Sequence, residues 1–312
     1  MCSSTYQKLL ERSMTPEALE SSIAYLAEHL EKMLKKQERV LICFQKHEKG
    51  NLSWLMEQAV LRCNAVPVVW GPDLRWKTLL RLAFSTKAST IIGPPMVLLG
   101  LTKLMKANGT PLYIRKVIVG GYPCTDWVIE GIRKGFDCEV GGCFGVSTTG
   151  IVAGFACGRS WGVHIREAEY GIDIVDGDGR VLPTGERGEI VIYPKAEQDL
   201  RYATGEYGCF VPEKCRCGSD TPRLMDIYFG NATDSGLLEL GHMLNSWTSV
   251  LDCRLERGAC GLELEMVVFQ GEKLPKLPNV AKQVVRSWDP EQDEPFWYMP
   301  ILKKSEISTE MD

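Results

Sequence analysis

From Thr15 to about Gly150 the sequence alternates short apolar runs with longer amphipathic stretches, and no other feature constrains the fold as strongly. TPEALESSIAYLAEHLEKMLKK opens as a helix, with Thr15 as N-cap, Pro16 at the first helical position and Glu17 in the first turn. Leu19, Ile23, Leu26, Leu30 and Met33 then recur at spacings of three and four, which gives one apolar face. RVLICF follows as a short buried strand, NLSWLMEQAVLRCN as a helix, AVPVVWG as a strand and LRWKTLLRLAFSTK as a helix. STIIGPP and IRKVIVGGYP read as further strands, MVLLGLTKLMKAN and TDWVIEGIRKGF as further helices. Strands separated by amphipathic helices predict βα units on a largely parallel sheet.

After Gly150 the texture changes. VHIREAEYGIDIVDGDGRVLPTGERGEIVIYP predicts strands joined by Asp-Gly and Gly-Glu-Arg-Gly turns, an antiparallel hairpin region. From about Gly230, GLLELGHMLNSWTSVLDCRL and ELEMVVFQGEK suggest a small lobe of mixed structure. The expected class is therefore α/β: a large mostly parallel sheet domain, a β-rich hairpin subdomain and a smaller α+β C-terminal lobe. The expected division is residues 1–228, comprising a sheet part at 1–150 and a β-rich part at 151–228, followed by a lobe at 229–312.

A chain of 312 residues with net charge −4 and no basic stripe is a poor nucleic-acid binder. MCSSTYQKLLERSM lacks an apolar signal core, and IIGPPMVLLGL is too short, and too interrupted by Gly and Pro, to span a bilayer. A soluble cytoplasmic protein is expected. Most of its 12 cysteines are then expected to be reduced and buried. Cys43, Cys63 and Cys253 lie in apolar runs and act as small hydrophobes. Cys215 and Cys217 lie in a polar, turn-like setting.

Four segments carry chemistry. VIVGGYPC places Gly120 and Gly121 at the carboxyl end of a strand, the edge of an open α/β sheet where ligands bind; a tight βα turn has the same appearance. GGCFGVSTTG sets Phe144 to stack on a planar base and Ser147, Thr148 and Thr149 to reach phosphate oxygens, unless it is simply a flexible loop. RYATGEYG offers Glu206 as acceptor for vicinal hydroxyls, although a lone turn carboxylate is usually only solvated. CRCGSD is the sharpest local signal, because Cys-x-Cys-Gly aims two sulfurs at one point. Cys157 and His164 are the further candidates that would close a tetrahedral Cys3His site with Cys215 and Cys217, leaving no vacant position for catalysis.

In this order the segments resemble the adenylate-forming acyl-CoA ligases, most closely the phenylacetate–CoA ligase-like branch. VGGYP is similar to that family's adenine-wall motif Gly-Gly-Glu-Pro, and CFGVST to its Tyr-Gly-hydrophobic-Ser/Thr-Glu motif. GVHIREAEYGIDIVDGDGRVLPTGERGEIVIYP resembles the branch's hairpin region, RYATGE its ribose-binding Arg-Tyr-Arg-Thr-Gly-Asp, and CRCGSDTPRL its cysteine knuckle, where some members carry zinc. GNATDSGLLELG is similar to the hinge that introduces a mobile C-terminal lobe. The resemblance implies nucleotide contacts from Gly120, Gly121, Tyr122, Phe144, Gly145, Ser147, Glu206 and Asn231. It implies catalytic roles for Thr148 and for Lys303 or Lys304, and an acid pocket around Trp70, Tyr122 and Val146. Structural zinc would sit on Cys157, His164, Cys215 and Cys217, with AMP or ATP and magnesium as nucleotide cofactors.

Departures from the pattern are specific. Thr148 stands at the magnesium Glu, Glu206 at the ribose Asp, Asn231 at the hinge Arg and Tyr122 at the adenine-wall Glu, with Asp234 at the hinge Asp. No Thr-Ser-Gly-Thr-Thr-Gly-like phosphate loop occurs, and the chain begins close to the family's first helix. The expectation is an N-terminally shortened, atypical AMP-binding acid–CoA ligase-like protein acting on the adenylate or CoA thioester of a small carboxylic acid. Two alternatives are a catalytically inactive relative serving as a partner subunit and a plain nucleotide-binding module. The shortened front predicts an uncovered face, hence a homodimer or a partner chain, with neither nucleic acid nor membrane as partner.

Overall fold

The computed structural model describes residues 2–71, 73–146, 150–160, 162–229, 235–269, 274, 276–277, 280–296 and 302–303. Five parallel strands form the first half of the main sheet: β1 (Arg39–Ile42), β2 (Val66–Val69), β3 (Thr90–Gly93), β4 (Lys116–Val119) and β5 (Glu139–Val146). Their order, β2-β1-β3-β4-β5, is a doubly wound arrangement. Successive side chains of a strand face opposite ways, so Val40 and Ile42 pack against α2 (Pro16–Glu31) and α3 (Leu52–Arg62). Leu41 and Cys43 pack into the other core, with α4 (Trp76–Thr86), α5 (Pro95–Ala107) and α6 (Asp126–Phe136). Thr15 and Asn51 cap α2 and α3, their side-chain oxygens accepting from Ala18 N–H at 3.3 Å and Trp54 N–H at 3.1 Å. An extra helix, α1 (Cys2–Ser13), bears no capping signal in the sequence; Leu9 anchors it in the core of the antiparallel strands.

The hairpin region is continuous with the parallel part. β5 pairs parallel with β4 on one edge and antiparallel with β6 (Ile151–Phe155) on the other. The sheet then runs on through β7 (Val163–Ile165), β11 (Arg223–Phe229), β10 (Tyr202–Phe210), β9 (Gly188–Pro194) and β8 (Tyr170–Val175). β8 and β9 form the hairpin expected around the Asp-Gly and Gly-Glu-Arg-Gly turns, with Val175 opposite Glu189.

A second sheet, in the order β14 (Val280–Ser287), β13 (Gly261–Val268), β12 (Val250–Gly258) and β15 (Leu302–Lys303), accompanies α7 (Ser235–Ser246). It explains the most apolar run in the chain. Every residue of α5 from Pro95 to Leu104 is buried, and a helix that is apolar all round must be enclosed all round. One side lies on the main sheet. Thr102 and Leu99 meet Gly135 and Gly131 of α6, Gly100 lies against the Trp76 ring, and Lys103 reaches the carbonyl of Val250 on β12 at 2.8 Å. Among the described residues, no helix is long and apolar enough to cross a membrane.

This packing reverses an ordinary rule. Gly→Ala inside a helix usually stabilises by up to about 1 kcal/mol. At Gly135 a new Cβ would lie 2.5 Å from Thr102 Cβ and Cγ2. Gly135→Ala is expected to cost about 1–3 kcal/mol, read as a lowered urea midpoint. A raised midpoint would mean that α5 and α6 separate freely.

Candidate functional site

A cleft of about 1700 Å³ runs along β5, between α2, α6, the β6–β7 hairpin and β11. Its shape follows from local sequence. β5 reads EVGGCFGV, and Gly141 and Gly142 leave the strand without side chains in the middle of the wall. At the end of β4 the chain turns through Gly121, whose φ of +81° favours glycine. Gly120 has a different reason: an added Cβ would lie 2.3 Å from Cys143 Sγ.

Glu206 enters through a bulge. The β9–β10 register breaks between Ala203 and Tyr207, with Gly205 at φ +73°. Thr204 Oγ1 holds the bulge, donating to Ile190 O at 2.9 Å and accepting Glu206 N–H at 3.1 Å. The Thr-Gly-Glu triplet thus brings a half-buried carboxylate to the cleft wall.

Gly121, Tyr122, Phe144, Gly145 and Glu206, from three separate segments, all line this cleft. Phe144 is 6 % exposed and belongs to the same buried cluster as Ile151 and Val163, so its ring forms part of the wall. Gly145 is small because β6 is close: an added Cβ would meet Ile151 O at 1.8 Å. Trp70, expected near the acid pocket, is 1 % exposed and sealed in the α4–α6 core. Ser147, Thr148, Asn231, Asp234 and Lys304 lie outside the described residues. Lys303 lies on β15, its backbone paired with Arg257 at the edge of the second sheet.

Other cleft residues come from parts of the chain with no local motif. Tyr25 and His29 line it from α2, and burial lowers the His29 pKa although the Tyr25 carbonyl partly supports its charge. Arg166 stacks over Tyr25 at 4.6 Å. Asp226 also lines the cleft, at φ +52° beside the β10–β11 register break, with its carboxylate paired to Arg187. Cys143 also lines the cleft, and burial pushes its thiol up to about 12.

The four expected metal ligands converge. Cys157 follows β6, His164 lies on β7, and Cys215 and Cys217 lie in the β10–β11 loop; β7 pairs with both β6 and β11. Their ligand atoms all lie within 4.8 Å of one another. Cys157 and Cys215 sulfurs are 3.4 Å apart, as are Cys217 Sγ and His164 Nε2. A tetrahedron with zinc–sulfur bonds of about 2.3 Å has sulfur–sulfur edges near 3.8 Å, so the cluster is of zinc size. His164 Nδ1 lies 3.0 Å from the Thr221 carbonyl, which can only accept. Nδ1 therefore carries the proton and Nε2 turns its lone pair to the sulfurs.

The sequence also holds a less obvious symmetry. Cys157-Gly158 and Cys217-Gly218 are matching knuckles with left-handed glycines at φ +72° and +86°. Arg159 N–H and Ser219 N–H each point back to the preceding sulfur at 3.4 Å. Burial opposes ionisation of Cys215, but the Cys217 N–H, with help from the Ser160 side chain, brings its thiol down to about 5. Cys217 shifts upward: its Ser219 N–H favours the thiolate, and desolvation with the neighbouring sulfurs outweighs it. Within the pair, Cys215 is thus the sulfur favoured as thiolate. Cys157, His164 and Cys217 also line the cleft, so the cluster braces its wall.

No family model matches the sequence, and neither does any curated protein. Solved structures do match in fold. A 2-hydroxyisobutyryl-CoA ligase, in its postadenylation state with R3-HIB-AMP, gives a TM-score of 0.67 at 13% identity over 93% of this chain and 70% of that one. The anthranilate CoA ligase AuaEII with anthranoyl-AMP gives 0.58 at 12% identity, over 85% of this chain and 59% of that one. A benzoate CoA ligase from Burkholderia xenovorans LB400 gives 0.56 at 14%, over 85% and 62%. The chain spans less than two thirds of the latter two ligases. What it shares with all three is the adenylate-forming ligase fold.

Proposed function

We propose that this chain binds an adenylate, either AMP or the acyl-adenylate of a small carboxylic acid, in the cleft along β5. In this reading its chemistry is of the acid–thiol ligase type. The observation that carries it is convergence: Gly121-Tyr122, Phe144-Gly145 and Glu206, singled out separately, line one cavity. Ligases of the same fold solved with adenylates support it. Glu206 would take the ribose diol, since a carboxylate accepts two donors at once. Tyr122 and Phe144 would flank the base, and Gly121 would let the backbone approach it. Assignment to the phenylacetate-like branch rests on the motif order and stays within this proposal.

Cys157, His164, Cys215 and Cys217 would hold zinc as a closed structural set. When bound, the ion supplies charge compensation for the thiolates and a cross-link between three strand ends. The protein residues do the rest: Thr221 fixes the imidazole tautomer, and backbone N–H groups support the sulfurs.

Glu206→Ala tests the site. Loss of bonds to a charged acceptor is expected to weaken AMP binding roughly 10–100-fold. It should also abolish the preference for AMP over its 2′,3′-dideoxy analogue, read by competition or thermal shift. An unchanged preference in the variant would move the ribose away from Glu206.

A further inference from the structure

We infer that Arg166 selects the acyl group held in the cleft. Its Nη1 meets a neutral acceptor oxygen that the acid carries beyond its carboxyl group, a hydroxyl or a carbonyl, so oxygenated acids are preferred to plain hydrocarbon ones. This rests on the adenylate reading and deepens it, since that reading leaves the acid unspecified.

Arg166 lines the cleft, yet it is only 7 % exposed. One end of its guanidinium is fully used: Nη2 donates to Ser21 O at 3.0 Å, to Ser21 Oγ at 2.7 Å and to Glu169 Oε1 at 2.6 Å. The other end is not. Nη1 is buried as well and has no acceptor among the described residues. The Tyr25 ring lies 4.6 Å from Cζ and attracts the charge, but it offers no lone pair in the plane of the fork. Buried polar groups are nearly always hydrogen-bonded, and leaving a donor of a charged group unmade is costly. A desolvated nitrogen on the wall of a cavity therefore needs its acceptor from what the cavity holds. Glu169 already balances the charge, so one donor direction is open and a neutral oxygen suffices.

The direction is fixed. A guanidinium is planar, so the bonds on Nη2 and the stacking on Tyr25 set where Nη1 points. Tyr25 in turn packs against His29 with ring centroids 4.4 Å apart, and His29 against Phe155 at 5.0 Å. All three rings line the cleft and offer apolar edges to the hydrocarbon part of an acid. The position also suits an acyl group. Arg166 N–H donates to Ala153 O at 2.7 Å, and Ala153 lies between the β6 residues that face Phe144 and Gly145. The backbone of Arg166 thus stands two strand spacings from the proposed base site, about 10 Å away.

Calorimetric titration of the full chain supplied with zinc tests this. The probes are unreactive acyl-adenylate mimics, the sulfamoyl adenosines of benzoic acid and of its 3-hydroxy and 4-hydroxy derivatives. At least one hydroxylated mimic should bind about tenfold or more tighter than the benzoyl mimic. Arg166→Met removes the donors at similar volume and should abolish that preference, while AMP and the benzoyl mimic keep their affinity. Where loss of the Ser21 tie prevents Arg166→Met from folding, Arg166→Lys takes its place. Its single ammonium is engaged by Ser21 and Glu169, so the same loss is expected. Equal binding of all three mimics by the wild type, or a preference that survives in the folded variant, overturns the inference and leaves the adenylate reading standing. Failure of AMP and of every mimic to bind overturns both.

Discussion

Replacing Cys215 with alanine, or stripping metal with a chelator, is expected to give one of the two largest losses of stability in this protein. The proposed zinc closes a ring through β6, β7 and the β10–β11 loop, joining segments that are 58 residues apart at Cys157 and Cys215. Without the ion, three thiols and an imidazole remain packed within 4.8 Å of one another, and Cys215 still tends to ionise. Zinc-finger peptides gain about 10–16 kcal/mol from such ions. Here the strands also pair through their backbones, so about 4 kcal/mol or more is the expected cost. Atomic emission should find one zinc per chain in the wild type and little in Cys215→Ala. Chelation should lower the thermal midpoint of the wild type and leave that of the variant unchanged. Because Cys157, His164 and Cys217 line the cleft, AMP binding should fall together with the metal.

The junction between the two sheets should make stability depend on pH through Asp252. Burial, the leading cause, raises this carboxyl from its ordinary 3.8 to about 7. The N–H groups of Phe296 and Cys253, at 2.8 and 2.9 Å, and the charges of Lys103 and Arg286 only partly oppose it. Between pH 4 and 7 the folded chain therefore keeps a proton that the unfolded chain has released. This contribution to stability is present in full at about pH 4 and declines as pH rises to 7, by up to about 4 kcal/mol. Lys103 adds the opposite slope at higher pH. Burial brings it down to about 8, so between 8 and its ordinary 10.5 the unfolded chain binds the extra proton and stability rises. Asp252→Asn should flatten the acid limb in urea denaturations at several pH values. Asparagine has one acceptor oxygen where aspartate has two, so a constant loss at every pH is superposed on that change. A variant with the wild-type slope between pH 4 and 7 would place the proton elsewhere.

The sequence was most legible where pattern and consequence are local. Alternation of apolar runs and capped helices is enough for β1 to β5, because each βα unit buries its own stripe before meeting the next. The Cys-x-Cys-Gly turn likewise declares itself, and the six-residue step from Cys157 to His164 fits a β6–β7 hairpin. Order across the antiparallel half was not legible. β11 enters beside β7 although β8, β9 and β10 intervene in sequence, and only long-range register decides that. The surroundings of α5 were hidden for a related reason. An apolar helix of 13 residues is recognisably buried, but the sheet that covers its outer side begins at Val250. Trp70 misleads because an aromatic at a strand end fits a pocket wall and a core position equally well. Asp226 carries no signal in sequence, since its left-handed backbone comes from a register break with β10.

The central claim is that one cleft, framed by Gly121, Tyr122, Phe144, Gly145 and Glu206, holds an adenylate. Calorimetric titration of AMP into zinc-replete protein tests it most directly. Binding at one site per chain, weakened in Glu206→Ala while the unfolding midpoint stays unchanged, is the predicted result. No binding at millimolar AMP, in protein supplied with zinc that keeps its cooperative unfolding transition, would contradict the claim.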